Sequence, residues 1–170
     1  WGEAGYVRIK RASALAEALE DNTHLRTLGL YSSFIKATGA RALSRMLKKN
    51  RSLRTLYLVA NAIGPKGAAV LAWGVRHNLG LTHLYLASNG IGYKGAEALL
   101  AALRRNAFLT ELSVGIGDWH WDGHDAVTEL LSRNKAWSDA VAANREVLAL
   151  YADADADLEA REEKLETELE

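Results

Sequence analysis

Leu25, Leu53, Leu81 and Leu109 stand 28 residues apart, and each opens the same phrase: LRTLGLYSSFIKATG, LRTLYLVANAIGPKG, LTHLYLASNGIGYKG and LTELSVGIGDWHWDG. A fixed internal period of this length marks a solenoid, in which each unit buries its apolar face only against its neighbours. The period also points toward function. Stacked short repeats present a continuous surface suited to gripping another macromolecule.

Each position in the phrase has a physical job. Leu28 and Leu30, Leu56 and Leu58, Leu84 and Leu86, then Leu112 and Val114 alternate with period two, which places each pair on one face of a short strand. Ser33, Asn61, Asn89 or Gly117 follows eight residues after the opening leucine. An Asn there is placed to bond backbone groups where the strand turns. Ile35, Ile63, Ile91 and Trp119 are predicted to point back into the core. Gly39, Gly67, Gly95 and Gly123 are expected in a turn before a helix, for small size and permissive dihedrals.

The second half of the unit reads as a helix. Leu43, Leu71, Leu99 and Val127 are followed four residues later by Leu47, Val75, Leu103 and Leu131, one helical face. Asn50, Asn78, Asn106 and Asn134 then fall at the expected helix end, as C-terminal caps. The same signals occur at Leu15, Leu19 and Asn22, so residues 1–22 read as the helical half of an incomplete fifth repeat.

Taken together, the strand, Asn, Gly, helix and Asn signals resemble ribonuclease-inhibitor-like leucine-rich repeats over roughly residues 11–136. The resemblance implies an α/β fold. It would be a right-handed βα leucine-rich-repeat solenoid with a parallel sheet on the concave face, helices on the convex face and a C-terminal helical extension. It also implies protein binding rather than catalysis. Ser33, Gly117 and Trp119 depart from the pattern in the first and fourth repeats, as terminal repeats often do because they cap the stack. The expected domains are residues 1–137, a half repeat plus four repeats starting at 25, 53, 81 and 109, and residues 138–170, a helical cap with an acidic C-terminal helix.

Composition supports a packed core. Hydrophobic residues make up 49% of the 170, enough for about five buried aliphatic side chains per repeat, each contributing roughly 1.5–3 kcal/mol. Leucine-sized apolar runs stay well short of a membrane span. The absence of cysteine excludes disulfide-bonded caps and thiolate zinc sites, and fits a reducing compartment, inside the cell or an organelle. The sequence opens at Trp1, not Met, so a fragment, a processed product or an incompletely known sequence is expected. The zero net charge hides an asymmetry: residues 153–170 hold nine acids and two bases, residues 1–152 nineteen bases and twelve acids.

From Trp137 onward the repeat ends, and the Ala, Leu and Glu content predicts helix. Tyr151, Leu158 and Leu165 are spaced by seven, but Asp155 and Glu162 spoil a coiled-coil seam. Residues 138–151 are expected to cap the last repeat over Trp137, with the remainder projecting.

If the leucines face inward, the intervening residues line the concave side. Three columns result: Thr27, Thr55, His83 and Glu111; Gly29, Tyr57, Tyr85 and Ser113; Tyr31, Val59, Ala87 and Gly115. Tyr57 and Tyr85, with Tyr31 and Val59, form an aromatic patch with few charges. Such a patch serves a binding hot spot or stabilises the sheet through cross-strand pairs. Candidate binding residues on this face are Tyr31, Thr55, Tyr57, Val59, His83, Tyr85 and Glu111. Trp73, Tyr93 and Trp121 are expected to be exposed aromatics at a partner surface. A basic strip, Lys48, Lys49, Arg76, Arg104, Arg105 and Arg133, recurs at the helix ends. Cations there are favoured by the helix dipole, and they also suit docking of an acidic protein, a lipid headgroup or RNA.

The segment DWHWDGHD, with His120, Asp122, His124 and Asp125, matches no ligand spacing with a mechanism, and no metal or cofactor is expected. No nucleophile elbow, phosphate loop or H-E-x-x-H motif is present. The expected function is therefore a non-enzymatic protein-interaction module, a subunit or adaptor of a larger assembly, with protein partners and no nucleic acid. The alternatives are a regulator of a small GTPase, since Ran GTPase-activating proteins resemble this repeat class, and the sensor region of a larger immune-type receptor. No position matches a catalytic residue of the former.

Overall fold

The computed structural model describes residues 12–115 and 124–143. Four three-residue strands, β1 (Thr27–Gly29), β2 (Thr55–Tyr57), β3 (His83–Tyr85) and β4 (Glu111–Ser113), form one parallel sheet in chain order. Parallel neighbours need a crossover, and each crossover here is a loop and a helix. The helices are α1 (12–19), α2 (Lys36–Lys49), α3 (Gly64–His77), α4 (Gly92–Leu103) and α5 (His124–Ala143). Strand partners lie 28 residues apart, so Thr27, Thr55, His83 and Glu111 stand in one row. The chain divides into two compact units, Trp1–Lys135 and Ala136–Glu170. In the second, residues 136–143 are helical and Trp137 is 40% exposed. Of the capping helix expected over 138–151, residues 138–143 are described, as the end of α5; the rest and the acidic helix lie outside the described residues.

The core is a stack of identical layers. Leu56 and Leu84 from the strands, Leu58 and Leu86 just after them, Leu71, Leu47 and Leu103 from the helices, and Ile35, Ile63 and Ile91 from the loops are all buried. Leu28 and Leu30 at one end and Leu112 and Val114 at the other are only partly buried. A solenoid layer is covered by the layers on both sides, so the outer strands stay partly open. α1 closes one side: Ala12, Ala16 and Leu19 are buried in the same core.

Two ladders of buried asparagine tie the layers together. In the first, Asn61 Oδ1 accepts the N–H groups of Ser33 and Ile35 at 2.9 and 3.3 Å, and its Nδ2 donates to the Leu30 and Val59 carbonyls. Asn89 repeats this against Asn61, Ile63 and the Leu58 carbonyl. Each Asn thus staples the preceding repeat. In the repeat opened by Leu25 this position is Ser33, whose hydroxyl donates to the Tyr31 carbonyl. The N-cap residues Ile35 and Ile63 make no side-chain cap; their own N–H groups donate to Asn61 and Asn89.

In the second ladder, Asn50, Asn78, Asn106 and Asn134 each donate to carbonyls of the preceding layer. Asn50, Asn78 and Asn106 also accept two backbone N–H groups just downstream. Asn50 and Asn78 do cap α2 and α3, in extended backbone. Asn134 does not cap: α5 continues through it to Ala143, and Asn134 keeps the inter-layer bonds while its Oδ1 accepts from the Arg133 guanidinium.

The glycines correct a second expectation. Gly39, Gly67 and Gly95 sit in the first turns of α2, α3 and α4, not in turns before them. Their smallness is what matters. A Cβ on Gly67 would lie 2.7 Å from Ile63 Cγ2 and 3.0 Å from Ala37 Cα, and one on Gly95 would lie 2.9 Å from Ala68 Cβ. Left-handed backbone falls earlier, at Ser32, Phe34 and Lys36, then at Ala60, Ala62 and Gly64, then at Ser88, Gly90 and Gly92.

Candidate functional site

Alternation in the strands buries the central leucines and turns their neighbours outward. Thr55, Tyr57, His83 and Tyr85 are half-buried on the sheet face, and Thr27 and Glu111 are exposed. Register places Tyr57 beside Tyr85, and their rings stack at 4.6 Å with 8° between planes. Tyr31 departs from its expected column. Gly29, the register partner of Tyr57, leaves an empty place, and the Tyr31 ring leans back over it, 3.1 Å from where a Gly29 Cβ would be. There it stacks on Tyr57 at 5.2 Å. The result is a continuous ladder of three phenol rings, Tyr31, Tyr57 and Tyr85. A glycine one strand over, with an aromatic two residues later on the same face, was the sequence signal for it.

Glu111 organises the other end of the face. Its Oε2 lies 3.5 Å from His83 Nε2, an ion pair when the imidazole is protonated. It also accepts a hydrogen bond from the Tyr85 hydroxyl, which, with desolvation, pushes the Tyr85 phenol up to about 12. Desolvation and the neighbouring Tyr57 also raise the Tyr31 phenol. The Tyr31 and Tyr85 hydroxyls therefore stay protonated at physiological pH. The face offers flat apolar rings, phenolic hydroxyls and a single carboxylate. Val59 is half-buried beside it.

The exposed aromatics separate. Tyr31, Phe34, Trp73 and Tyr93 are 54%, 50%, 46% and 51% exposed. Trp73 lies on α3, where Lys48 sits 5.2 Å above its ring and the His77 ring lies 5.0 Å away. Tyr93 lies in the first turn of α4. Trp121 lies outside the described residues. Phe34, overlooked in the sequence reading, occupies a left-handed position where the next repeats carry Ala62 and Gly90.

The basic strip divides by what each cation touches. Lys49 is paired with Glu20 at 2.7 Å, which raises the Lys49 ammonium. Arg133 donates to the carbonyls of Leu103 and Asn106, closing the end of the α4 layer. Arg26 and Arg54, absent from the expected strip, serve the same structural purpose on Ser52 and Gly80. Desolvation, with the nearby Arg26 charge, lowers the Arg54 guanidinium. Arg76, Arg104 and Arg105 are exposed. Of the DWHWDGHD segment only His124 and Asp125 are described, and they open α5.

A solenoid of parallel strands and backing helices, layered by leucine and stapled by asparagine, is a leucine-rich-repeat fold. The Leucine Rich repeat family model matches residues 49–72 and 77–100. Among solved structures, the chain is similar to the leiomodin-1 actin-binding site 2 (ABS2), with 26% identity over 82% of this chain and 81% of that one and a TM-score of 0.75. It is also similar in fold to the tropomodulin C-terminal domain of Caenorhabditis elegans, with 20% identity over 81% and 83% of the two chains and a TM-score of 0.69. No curated protein matches the sequence. The repeats and the leiomodin likeness point to a protein-interaction domain rather than a catalytic one. Among the described residues no helix is long and apolar enough to cross a membrane.

Proposed function

We propose that this chain is a non-enzymatic protein–protein interaction module that acts as a structural subunit or adaptor in a larger assembly, gripping its partner on the sheet face. The observation that carries this reading is the ladder of Tyr31, Tyr57 and Tyr85. Tyrosine suits an interface because it covers a large area with little rotamer entropy to lose. Stacking has already fixed these rings, so less order remains to be imposed on binding. Thr55, Val59, His83 and Glu111 frame the ladder as polar and apolar rim. Tyr93 and Trp121 are proposed as accessory contacts. The ribonuclease-inhibitor-like subtype with a 28-residue unit is supported by the helix in each crossover and the register spacing. The proposed solenoid covers residues 1–137, with residues 138–170 as its helical extension.

The test is affinity purification from the native source with the wild type and Tyr57→Ala/Tyr85→Ala in parallel. One stoichiometric partner held by the wild type and lost by the double variant is the expected result. Equal recovery by both overturns the assignment of this face, and recovery of free monomer alone overturns the module.

The likeness to an actin-binding region of leiomodin-1 favours a second, narrower reading, in which the partner is actin. Co-sedimentation with filamentous actin and capture of monomeric actin check it; absence from both fractions removes actin and leaves the wider reading standing.

A further inference from the structure

Charge in the solenoid is segregated along the chain. From Lys36 to Arg105 there are twelve Lys and Arg and a single acid, Glu97. Part of this charge is structural, as shown by the carbonyl contacts of Arg54 and the Glu20 pair of Lys49. Arg76, Arg104 and Arg105 are different. They are exposed at the C-terminal ends of α3 and α4, and among the described residues none has an ion pair or side-chain hydrogen bond. Arg76 and Arg104 share one repeat offset, so they stand side by side on neighbouring helices, with Lys48 at the same offset on α2.

We propose that this row is a second docking surface, separate from the sheet face, and that its occupant is an acidic helical segment of a protein partner. Charge complementarity is the first argument, since Glu97 is the one acid that residues 36–105 set against twelve cations. Geometry is the second. Packed neighbouring helices lie about 8–10 Å apart. Carboxylates seven residues apart on a crossing helix recur about every 10.5 Å. One carboxylate therefore meets one cation per repeat, and a guanidinium fork matches a carboxylate in two parallel hydrogen bonds.

Two other anionic partners fit less well. A bilayer surface calls for an apolar side chain to insert. The exposed aromatic on this part of the helix face is Trp73, whose ring already carries Lys48 at 5.2 Å and His77 at 5.0 Å. Single-stranded nucleic acid calls for aromatic platforms interleaved with cations. The stacked aromatics of this solenoid, Tyr31, Tyr57 and Tyr85, lie with the strands instead.

The test is fluorescence anisotropy on the full chain. Its probes are a labelled helical peptide with glutamates at seven-residue spacing, a labelled RNA, and vesicles of mixed phosphatidylserine and phosphatidylcholine. The peptide is expected to bind most tightly, to weaken as salt is raised, and to lose about tenfold in affinity with Arg76→Gln/Arg104→Gln/Arg105→Gln. Tyr57→Ala, on the other face, is expected to keep wild-type affinity for the peptide, which separates this proposal from that for the tyrosine ladder. Circular dichroism checks that the triple variant is folded. No peptide binding, equal binding by a folded triple variant, or tighter binding of RNA or vesicles overturns the proposal.

Discussion

At the scale of single residues, buried polarity does as much as leucine. Asn78 is fully buried and joins two layers through both ends of its amide. Truncation leaves buried carbonyls and N–H groups without partners, each costing about 1–3 kcal/mol. Asn78→Ala is therefore expected to destabilise the fold by at least about 3 kcal/mol in urea unfolding. Asn78→Asp is expected to fail similarly, because a carboxylate cannot donate to the Leu47 and Asn50 carbonyls. Tyr85 makes a prediction of the opposite kind, about surface electrostatics. Its phenol is raised to about 12, first by the hydrogen bond to Glu111. A raised folded value means that the associated stabilisation is fully present below the ordinary tyrosine value near 10 and is lost as the pH rises through about 12. Ultraviolet titration should show the Tyr85 phenol ionising late, and Glu111→Gln should move it back toward 10.

Among elements, the decisive feature is how closely the helices approach. Glycine inside a helix normally costs about 1 kcal/mol relative to alanine. Gly74 in α3 reverses that sign. A Cβ there would lie 2.5 Å from the Ser44 carbonyl oxygen and 2.7 Å from Ser44 Cα, both backbone atoms that cannot swing aside. Gly74→Ala is expected to destabilise the protein by about 1–3 kcal/mol despite the gain in helix propensity. Gly64 has open space around it but a φ of +67°, so Gly64→Ala is expected to cost about 1–2 kcal/mol from backbone strain alone. Thermal unfolding of the two variants separates crowding from strain: a cavity-making Ser44→Ala background should not rescue Gly74→Ala, because the clash is with backbone.

Over the whole molecule, stability passes from layer to layer, so the ends matter. α1 supplies Ala12, Ala16 and Leu19 to the core, and the Leu19 and Asn22 carbonyls accept from Asn50. Removal of residues 1–22 is expected to cost at least about 3 kcal/mol, read by denaturant titration, since it exposes apolar area and orphans a buried amide. Wild-type stability after this deletion would show that α1 is dispensable. The architecture was legible in the sequence because a repeat states each physical requirement several times. The leucine period, the two asparagine positions and the half repeat before Leu25 all needed only local spacing to be read. The segregation of cations between Lys36 and Arg105 was equally plain in the sequence but was masked by a net charge of zero. Other features were decided by tertiary structure. Gly39, Gly67 and Gly95 read as turn residues until the helix contacts showed that they are spacers. Asn134 read as a helix end, yet α5 runs on, since an inter-layer hydrogen bond does not require the helix to stop. Tyr31 joined the tyrosine ladder only because a neighbouring strand places Gly29 beside Tyr57. The arginines of one strip divided into staples and open cations according to which carbonyls lay within reach. The pattern along the chain determined which residues face inward, because burial follows periodicity. Which outward residues meet, and which remain open to a partner, was decided between layers, where contacts join residues about one repeat apart.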